Sequence, residues 1–98
     1  MDKLKLLKQA KEVLSKDGFL ILGVVGSFAR GEEYHDIDII YETTKEFEEK
    51  YLGWNYFIKI DEIKNYLQDI LGVKVDLINN SAMNNIAKEY MLKDFVNV

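Results

Sequence analysis

The stretch FLILGVVGSFARGEEYHDIDII, residues 19–40, joins an apolar segment to a polar turn and then to a second apolar segment that carries acids. The unbroken apolar run Phe19–Val25 predicts a strand buried on both faces. If the second segment is also a strand, Asp36 and Asp38 point to the same face, because side chains alternate with a period of two residues. Their Cα atoms are then roughly 6.5–7 Å apart.

These two aspartates predict a cation site. Carboxylates at this spacing repel each other unless one is protonated or a cation lies between them. Mg²⁺, a hard ion that takes oxygen ligands, is the natural neutraliser. Just upstream, Gly26 and Ser27 offer free backbone N–H groups at the start of a short helix, which suits a phosphate. A phosphate site followed by a metal-binding carboxylate pair indicates nucleotide chemistry.

The composition predicts one globular domain, residues 1–98, around a single core. A net charge of -4 gives no general basic surface, so no direct binding of nucleic acid is expected. The absence of cysteine excludes disulfides, thiolate catalysis and Cys-ligated zinc. No apolar run reaches transmembrane length and the N-terminus lacks a signal-peptide core, so we expect a cytoplasmic protein without membrane contact.

Hydrophobic periodicity and turn residues predict a small α/β (α+β) domain with a mixed β-sheet flanked by helices. The first three predicted helices are residues 3–16, ending at Gly18; Ser27–Arg30, closed by Gly31; and Thr44–Lys50, with a Thr43–Glu46 capping box. A fourth helix is capped by Asn55 and ended by Gly72. A fifth, residues 82–92, is capped by Ser81 and has Ile86 and Tyr90 on its apolar face. The predicted strands are Phe19–Val25, Asp36–Tyr41, Val73–Ile78 and a short Phe95–Val98. Gly23 predicts close approach of a neighbouring element.

Asp76 is a third acid in an apolar setting, inside the predicted strand Val73–Ile78. If this strand lies beside the one that carries Asp36 and Asp38, the three acids converge on one metal centre. Metal binding would then stabilise a folded protein that the bare charges destabilise. The alternative is an edge-strand aspartate paired with Lys74, which lies on the same face.

The motif Gly26-Ser27-Phe28-Ala29-Arg30-Gly31, followed by Asp36-Ile37-Asp38 and later by Val75-Asp76-Leu77, closely resembles the minimal nucleotidyltransferases. These are single-domain members of the DNA polymerase β-like superfamily, with a palm-like core, and the resemblance covers essentially the whole chain. It implies that Gly26 and Ser27 hold the triphosphate of ATP, that Asp36 and Asp38 bind metal, and that Asp76 is a metal ligand or the base for the attacking hydroxyl. Two Mg²⁺ ions are implied as cofactors.

The resemblance further implies transfer of a nucleoside monophosphate to a hydroxyl group. Stand-alone members typically pair with a HEPN-domain ribonuclease toxin and neutralise it by adenylylating one of its tyrosines. We therefore expect an antitoxin that is a protein adenylyltransferase and can form a hetero-oligomer with its toxin. The alternatives are an antitoxin that acts by binding and occlusion alone, and an enzyme that modifies a small hydroxylated molecule.

Some residues keep two interpretations. The segment between Ser27 and Asp36 is shorter than the usual family pattern, and His35 stands where the family commonly has serine. His35 is either a catalytic base or, more commonly for a loop histidine, a solvated side chain. Arg30, the only arginine, either contacts a nucleotide phosphate or a partner acid, or caps the short helix and shields Asp36 or Glu32. The aromatic cluster Tyr51, Trp54, Tyr56 and Phe57 predicts core packing or a surface for a base or a partner.

Overall fold

A computed structural model describes residues 2–98. The elements follow in the order α1 (Lys3–Ser15), β1 (Phe19–Val25), α2 (Gly26–Ala29), β2 (Asp36–Thr43), α3 (Lys45–Lys50), α4 (Trp54–Leu71), β3 (Lys74–Asn79), α5 (Asn85–Met91) and β4 (Val96–Asn97). Short 3-10 turns, Asn80–Ala82 and Leu92–Asp94, lie on either side of α5. The predicted fold class, a mixed sheet flanked by helices, is confirmed.

The four strands form one sheet in the order β3-β2-β1-β4. β1 is antiparallel to both β2 and β4, whereas β2 and β3 run parallel. The parallel pairing requires a crossover, which α3 and α4 provide. At Gly23 an added Cβ would lie 2.3 Å from the carbonyl oxygen of Val96 and 2.6 Å from the ring of Phe95. The close approach predicted for Gly23 is therefore the packing of the C-terminal strand.

The hydrophobic core lies between one face of the sheet and the two long helices α1 and α4. On β2 and β3, the side chains of Ile37, Ile39 and Val75 point into this core and are fully buried, and the residues that alternate with them face the other side. Burial of each such side chain contributes about 1.5–3 kcal/mol. The core comprises Leu7, Ala10, Phe19, Ile21, Val24, Ile37, Ile39, Tyr41, Phe47, Ile63, Leu67, Leu71 and Val75.

The starts of α2, α3 and α4 differ from the sequence prediction, and α2 begins at Gly26 rather than at Ser27. β2 continues to Thr43 because Thr43 pairs with Phe19 of β1, so Thr44 caps α3 instead and accepts a hydrogen bond from the Phe47 N–H. α4 begins at Trp54, and its N-cap is Gly53, two residues ahead of the predicted cap Asn55; Gly53 takes a positive φ of 59°.

The last helix is shorter than predicted and begins later. The Asn79 side chain accepts from the Ser81 N–H and closes a separate 3-10 turn, so Ser81 cannot cap the helix. Asn84 caps α5 by accepting from the Ala87 N–H. The predicted apolar face, Met83, Ile86, Ala87, Tyr90 and Met91, is wrong at two residues, since Ile86 is 81% and Tyr90 77% exposed, whereas the other three are partly buried. Among residues 2–98, none of the helices has both the length and the apolar composition needed to cross a bilayer.

Candidate active site

Three carboxylates meet on the sheet face opposite the core. Asp36 and Asp38 project from β2, and the parallel register places Asp38 directly beside Asp76 of β3. One carboxylate oxygen from each of Asp36, Asp38 and Asp76 lies within 4.8 Å of the others. All three residues are half-buried. The structure thus brings together the acids that the sequence singled out, while their roles in catalysis stay predictions.

The electrostatics of the cluster favour a cation. Burial raises the pKa of the Asp38 carboxyl, and the charges of Asp36 and Asp76 and a hydrogen bond with Asp76 raise it further. Oxygen atoms that bind one Mg²⁺ at about 2.1 Å lie about 2.9 Å apart when adjacent and about 4.2 Å apart when opposite. The observed upper limit of 4.8 Å is close to this range. The donor set, oxygens only, also matches a hard divalent ion.

The Gly26–Ser27 turn lies against Asp38. Val25, the last residue of β1, pairs with Asp38, so α2 begins directly beside that carboxylate. Gly26 has a positive φ of 83°, and an added Cβ would lie 2.6 Å from Oδ2 of Asp38. Both the backbone conformation and the space therefore require glycine. This geometry places the predicted phosphate-binding turn next to the predicted metal site.

Arg30 forms two ion pairs at the end of α2. Its Nε donates to Glu32 Oε1 at 2.9 Å, and its Nη1 donates to Asp94 Oδ2 at 2.8 Å. The two carboxylates raise the pKa of Arg30. The alternative interpretation of Arg30, pairing with Glu32, is therefore what the structure shows. Its contact with a nucleotide stays a prediction, and Arg30 lines the same cavity as Gly26 and Asp38.

A small cavity of about 110 Å³ connects these groups with the C-terminal segment. Gly26, Arg30 and Asp38 line one side, and Tyr90, Met91 and Asp94 line the other. The sequence pattern does not indicate that the C-terminal residues contribute to this cavity. No local signal could have revealed it, because Asp94 lies 64 residues from Arg30 along the chain.

Two larger cavities lie elsewhere, along α4. One of about 360 Å³ is lined by Val13 and Leu14 of α1 and by Tyr66 of α4, and one of about 290 Å³ lies near Lys50 and Ile58. The largest cavity is the usual first candidate for a ligand site. Neither of these contains a cluster of metal-binding side chains, since in residues 2–98 the aspartate trio is the only such group. The aspartate trio, rather than either larger cavity, is therefore the candidate active site.

Asp76 and His35 each have two interpretations from the sequence. Among the described residues no ion pair joins Lys74 to Asp76, and Lys74 pairs in register with Asp36. Asp76 does lie in an edge strand, but the pairing with Lys74 that this alternative requires is not observed. His35 is exposed in the loop directly before β2, as expected for a solvated side chain.

The aromatic cluster divides into two parts. Tyr51 and Tyr56 pack against the buried ring of Phe47, with centroid distances of 4.7 and 5.7 Å. Trp54 and Phe57 contact each other but are 81% and 64% exposed. Core packing accounts for the two tyrosines only, and the other two rings leave an apolar patch at the start of α4.

The sequence is similar to a family of nucleotidyltransferase domains and to proteins named as protein adenylyltransferases. Residues 6–97 match the nucleotidyltransferase domain family. The protein adenylyltransferase MntA of Thermococcus cleftensis is 32% identical over 88 residues, which cover 90% of this chain and 83% of that protein. A candidate protein adenylyltransferase of Methanocaldococcus jannaschii is 34% identical over 92 residues, covering 84% of this chain and 86% of the relative.

A solved structure of a candidate minimal nucleotidyltransferase has the same fold. It superposes with a TM-score of 0.69 at 24% identity and covers 100% of this chain and 97% of its own. The resemblance to the minimal nucleotidyltransferases is thus confirmed by sequence relatives and by the fold. The chain belongs to the nucleotidyltransferase domain family and is a nucleotidyltransferase.

Proposed function

We propose that this protein transfers AMP from ATP to a hydroxyl group in a reaction that depends on Mg²⁺. The observation that carries the proposal is the meeting of Asp36, Asp38 and Asp76 beside the Gly26–Ser27 turn. A carboxylate trio with a raised pKa at Asp38 is poorly stable without a cation. The adjoining turn offers backbone N–H groups to an anion. The metal ion of a metal–nucleotide complex would therefore bind the carboxylates, and its phosphates would bind the turn.

The reaction that suits this arrangement is an in-line displacement at the α-phosphorus. The acceptor oxygen forms a bond to the α-phosphorus, the bond from that phosphorus to the bridging oxygen breaks, and pyrophosphate leaves. Asp76 would accept the proton of the acceptor hydroxyl, while Gly26 and Ser27 would hold the departing β- and γ-phosphates. Mg²⁺ bound by the three aspartates, with two ions expected, would supply positive charge to the nucleophile and to the leaving group.

For the acceptor we propose a tyrosine of a partner protein, a HEPN-domain toxin that this chain neutralises as an antitoxin. Two relatives of similar length carry names that describe protein adenylyltransferases, which supports a protein acceptor. The exposed Trp54–Phe57 patch offers apolar surface of the kind that protein partners cover. A hetero-oligomer with the toxin, in the cytoplasm, is part of the same proposal.

The test is incubation of the protein with labelled ATP, Mg²⁺ and the candidate toxin. We expect label on a toxin tyrosine, no label when a chelator replaces Mg²⁺, and none with Asp36→Asn or Asp38→Asn. Asp69→Asn, on the exposed face of α4, is the matched control that removes one acid away from the site. If the Asp36 and Asp38 variants still neutralise the toxin, binding and occlusion explain the activity instead. Label on a small hydroxylated compound alone would indicate an enzyme that modifies small molecules.

A further inference from the structure

The ion pair between Arg30 and Asp94 joins the C-terminal segment to the candidate active site. Nη1 of Arg30 and Oδ2 of Asp94 are 2.8 Å apart, and the two residues belong to elements 64 positions apart in the sequence. Arg30 follows α2, whose first residue touches Asp38. Asp94 ends the 3-10 turn that follows α5. The pair thus holds α5 and its turn over the Gly26–Asp38 corner.

The cavity under this segment is too small for a nucleotide. Its volume is about 110 Å³, with Tyr90, Met91 and Asp94 forming the wall opposite Gly26 and Asp38. Pockets that enclose ligands of nucleotide size measure about 300–1,000 Å³. The cavity can therefore enclose a nucleoside triphosphate only if one wall moves. Strand pairing fixes the side of the cavity formed by Val25 and Asp38, so the C-terminal wall is the one that can move.

The construction of the C-terminal segment allows such a movement. β4 is tied to β1 by the pairs Gly23–Asn97 and Val24–Val96, and Phe95 packs on Gly23. The preceding part, Asn85–Asp94, has no buried residue in α5 or in the turn. Segments with few buried side chains open at low free-energy cost. The segment can therefore swing about its anchored end at β4.

A triphosphate would compete directly for Arg30. The guanidinium has five N–H donors, and the two ion pairs occupy Nε and Nη1. The anion would attract Arg30 and repel Asp94, whose carboxylate lines the same cavity. Both side chains of the pair are partly solvent-exposed, at 41% and 37%. Ion pairs of this exposure are weak, so a bound triphosphate can displace Asp94.

We propose that the Arg30–Asp94 pair is an autoinhibitory latch that closes the C-terminal segment Asn85–Asp94 over the nucleotide site. A nucleoside triphosphate opens the latch by taking Arg30 from Asp94. The inference rests on the proposed function, since it assigns a regulatory step to the same site. Glu32 does not contribute to the latch, because it lies in the same loop as Arg30 and cannot hold the C-terminal segment.

The experiment measures amide hydrogen exchange of residues 85–94 and the affinity for MgATP. In the unaltered protein, MgATP is expected to increase exchange in this segment. Asp94→Asn should increase exchange there without nucleotide and tighten MgATP binding about two- to five-fold, the effect of losing one exposed ion pair. Glu32→Gln is the matched control: it removes an equal charge from Arg30 and should leave exchange of residues 85–94 unchanged.

The possible outcomes separate the latch from the proposed function. Protection of residues 85–94 by MgATP, or equal opening in Glu32→Gln and Asp94→Asn, would overturn the latch. Unchanged exchange in Asp94→Asn would do the same, even if the protein binds MgATP and transfers AMP. If neither the unaltered protein nor Asp94→Asn binds MgATP, the proposed function fails and the latch fails with it.

Discussion

A Cβ atom on Gly26, in the turn after β1, would lie 2.6 Å from Oδ2 of Asp38, the central carboxylate of the trio. A side chain at position 26 would therefore clash with this carboxylate. Gly26 also has a positive φ of 83°, which costs about 1–2 kcal/mol for any other L-residue. This contact couples the predicted phosphate turn to the predicted metal ligand. A side chain at position 26 must therefore displace the Asp38 carboxylate.

Gly26→Ala is therefore expected to abolish AMP transfer as well as lower stability. Gly31→Ala is the matched control, because Gly31 also has a positive φ, of 73°, but an added Cβ would meet no atom within 4 Å. Both variants should lose about 1–2 kcal/mol of unfolding free energy, and only Gly26→Ala should lose the reaction. Thermal melting and transfer of labelled AMP distinguish them. Full activity in Gly26→Ala would contradict the coupling.

Asp38→Asn is expected to stabilise the metal-free protein. Because burial and the neighbouring acids raise the pKa of Asp38 above 3.8, the folded protein binds this proton more tightly than the unfolded chain does. The ionisation of Asp38 lowers stability as the pH rises from 3.8 through the raised pKa, and the full cost is present at pH 7. Removing the charge should therefore raise the free energy of unfolding of the metal-free protein.

Calorimetry in chelator at pH 7 checks this expectation, with a rise in melting temperature of about 4–8 °C per kcal/mol. Added Mg²⁺ should reverse the order: the unaltered protein gains about 2.7 kcal/mol at a concentration 100-fold above its Kd, and the variant gains much less. Asp69→Asn should respond like the unaltered protein. A lower melting temperature for Asp38→Asn in chelator would mean that the carboxylate stabilises the fold.

Asp76→Asn and Lys74→Ala separate a catalytic from a structural role for Asp76. We expect Asp76→Asn to reduce AMP transfer by about 10²–10⁴-fold, the usual contribution of a catalytic base. Lys74→Ala should change the unfolding free energy by less than about 0.5 kcal/mol, because Lys74 is exposed and does not pair with Asp76. Urea denaturation and transfer rates give both quantities. Equal losses of stability in the two variants would instead indicate an ion pair.

Tyr41 should make the protein sensitive to alkali. Burial, together with Tyr56, raises the pKa of the Tyr41 hydroxyl from 10.0 to about 12. The unfolded chain therefore loses this proton first, and stability falls as the pH rises from 10 to 12. At about 1.4 kcal/mol per pKa unit, the loss from this group is at most about 2.7 kcal/mol. Tyr41→Phe should flatten the decline in urea denaturation measured across this range, and an unchanged slope would refute the assignment.

Trp54→Ala should leave stability within about 0.5 kcal/mol of the unaltered protein, because the ring is 81% exposed. Phe47→Ala removes a fully buried ring that contacts three aromatic neighbours, and it should lower the free energy of unfolding by about 3–5 kcal/mol. If the Trp54–Phe57 patch binds the partner, Trp54→Ala weakens that complex without unfolding the protein. Titration calorimetry with the partner measures this effect, and unchanged affinity would exclude the patch from the interface.

The sequence alone determined the features that depend on neighbouring residues. The unbroken apolar run made β1, the alternation of Asp36, Ile37 and Asp38 placed two acids on one face, and Gly26 marked the turn beside them. These follow from strand geometry, which is fixed over a few residues. Helix boundaries were less well determined, because the pairing of Thr43 with Phe19 and the side-chain contact of Asn79 with Ser81 decided them.

Only the tertiary structure decided which distant residues meet. The parallel pairing of β2 with β3 set Asp76 beside Asp38, and a shift of one residue would have turned Asp76 to the core face. The ion pair of Arg30 with Asp94 and the exposure of Tyr90 depend on how the C-terminal segment lies over the sheet. Such contacts carry no local periodicity, since they join elements separated by most of the chain.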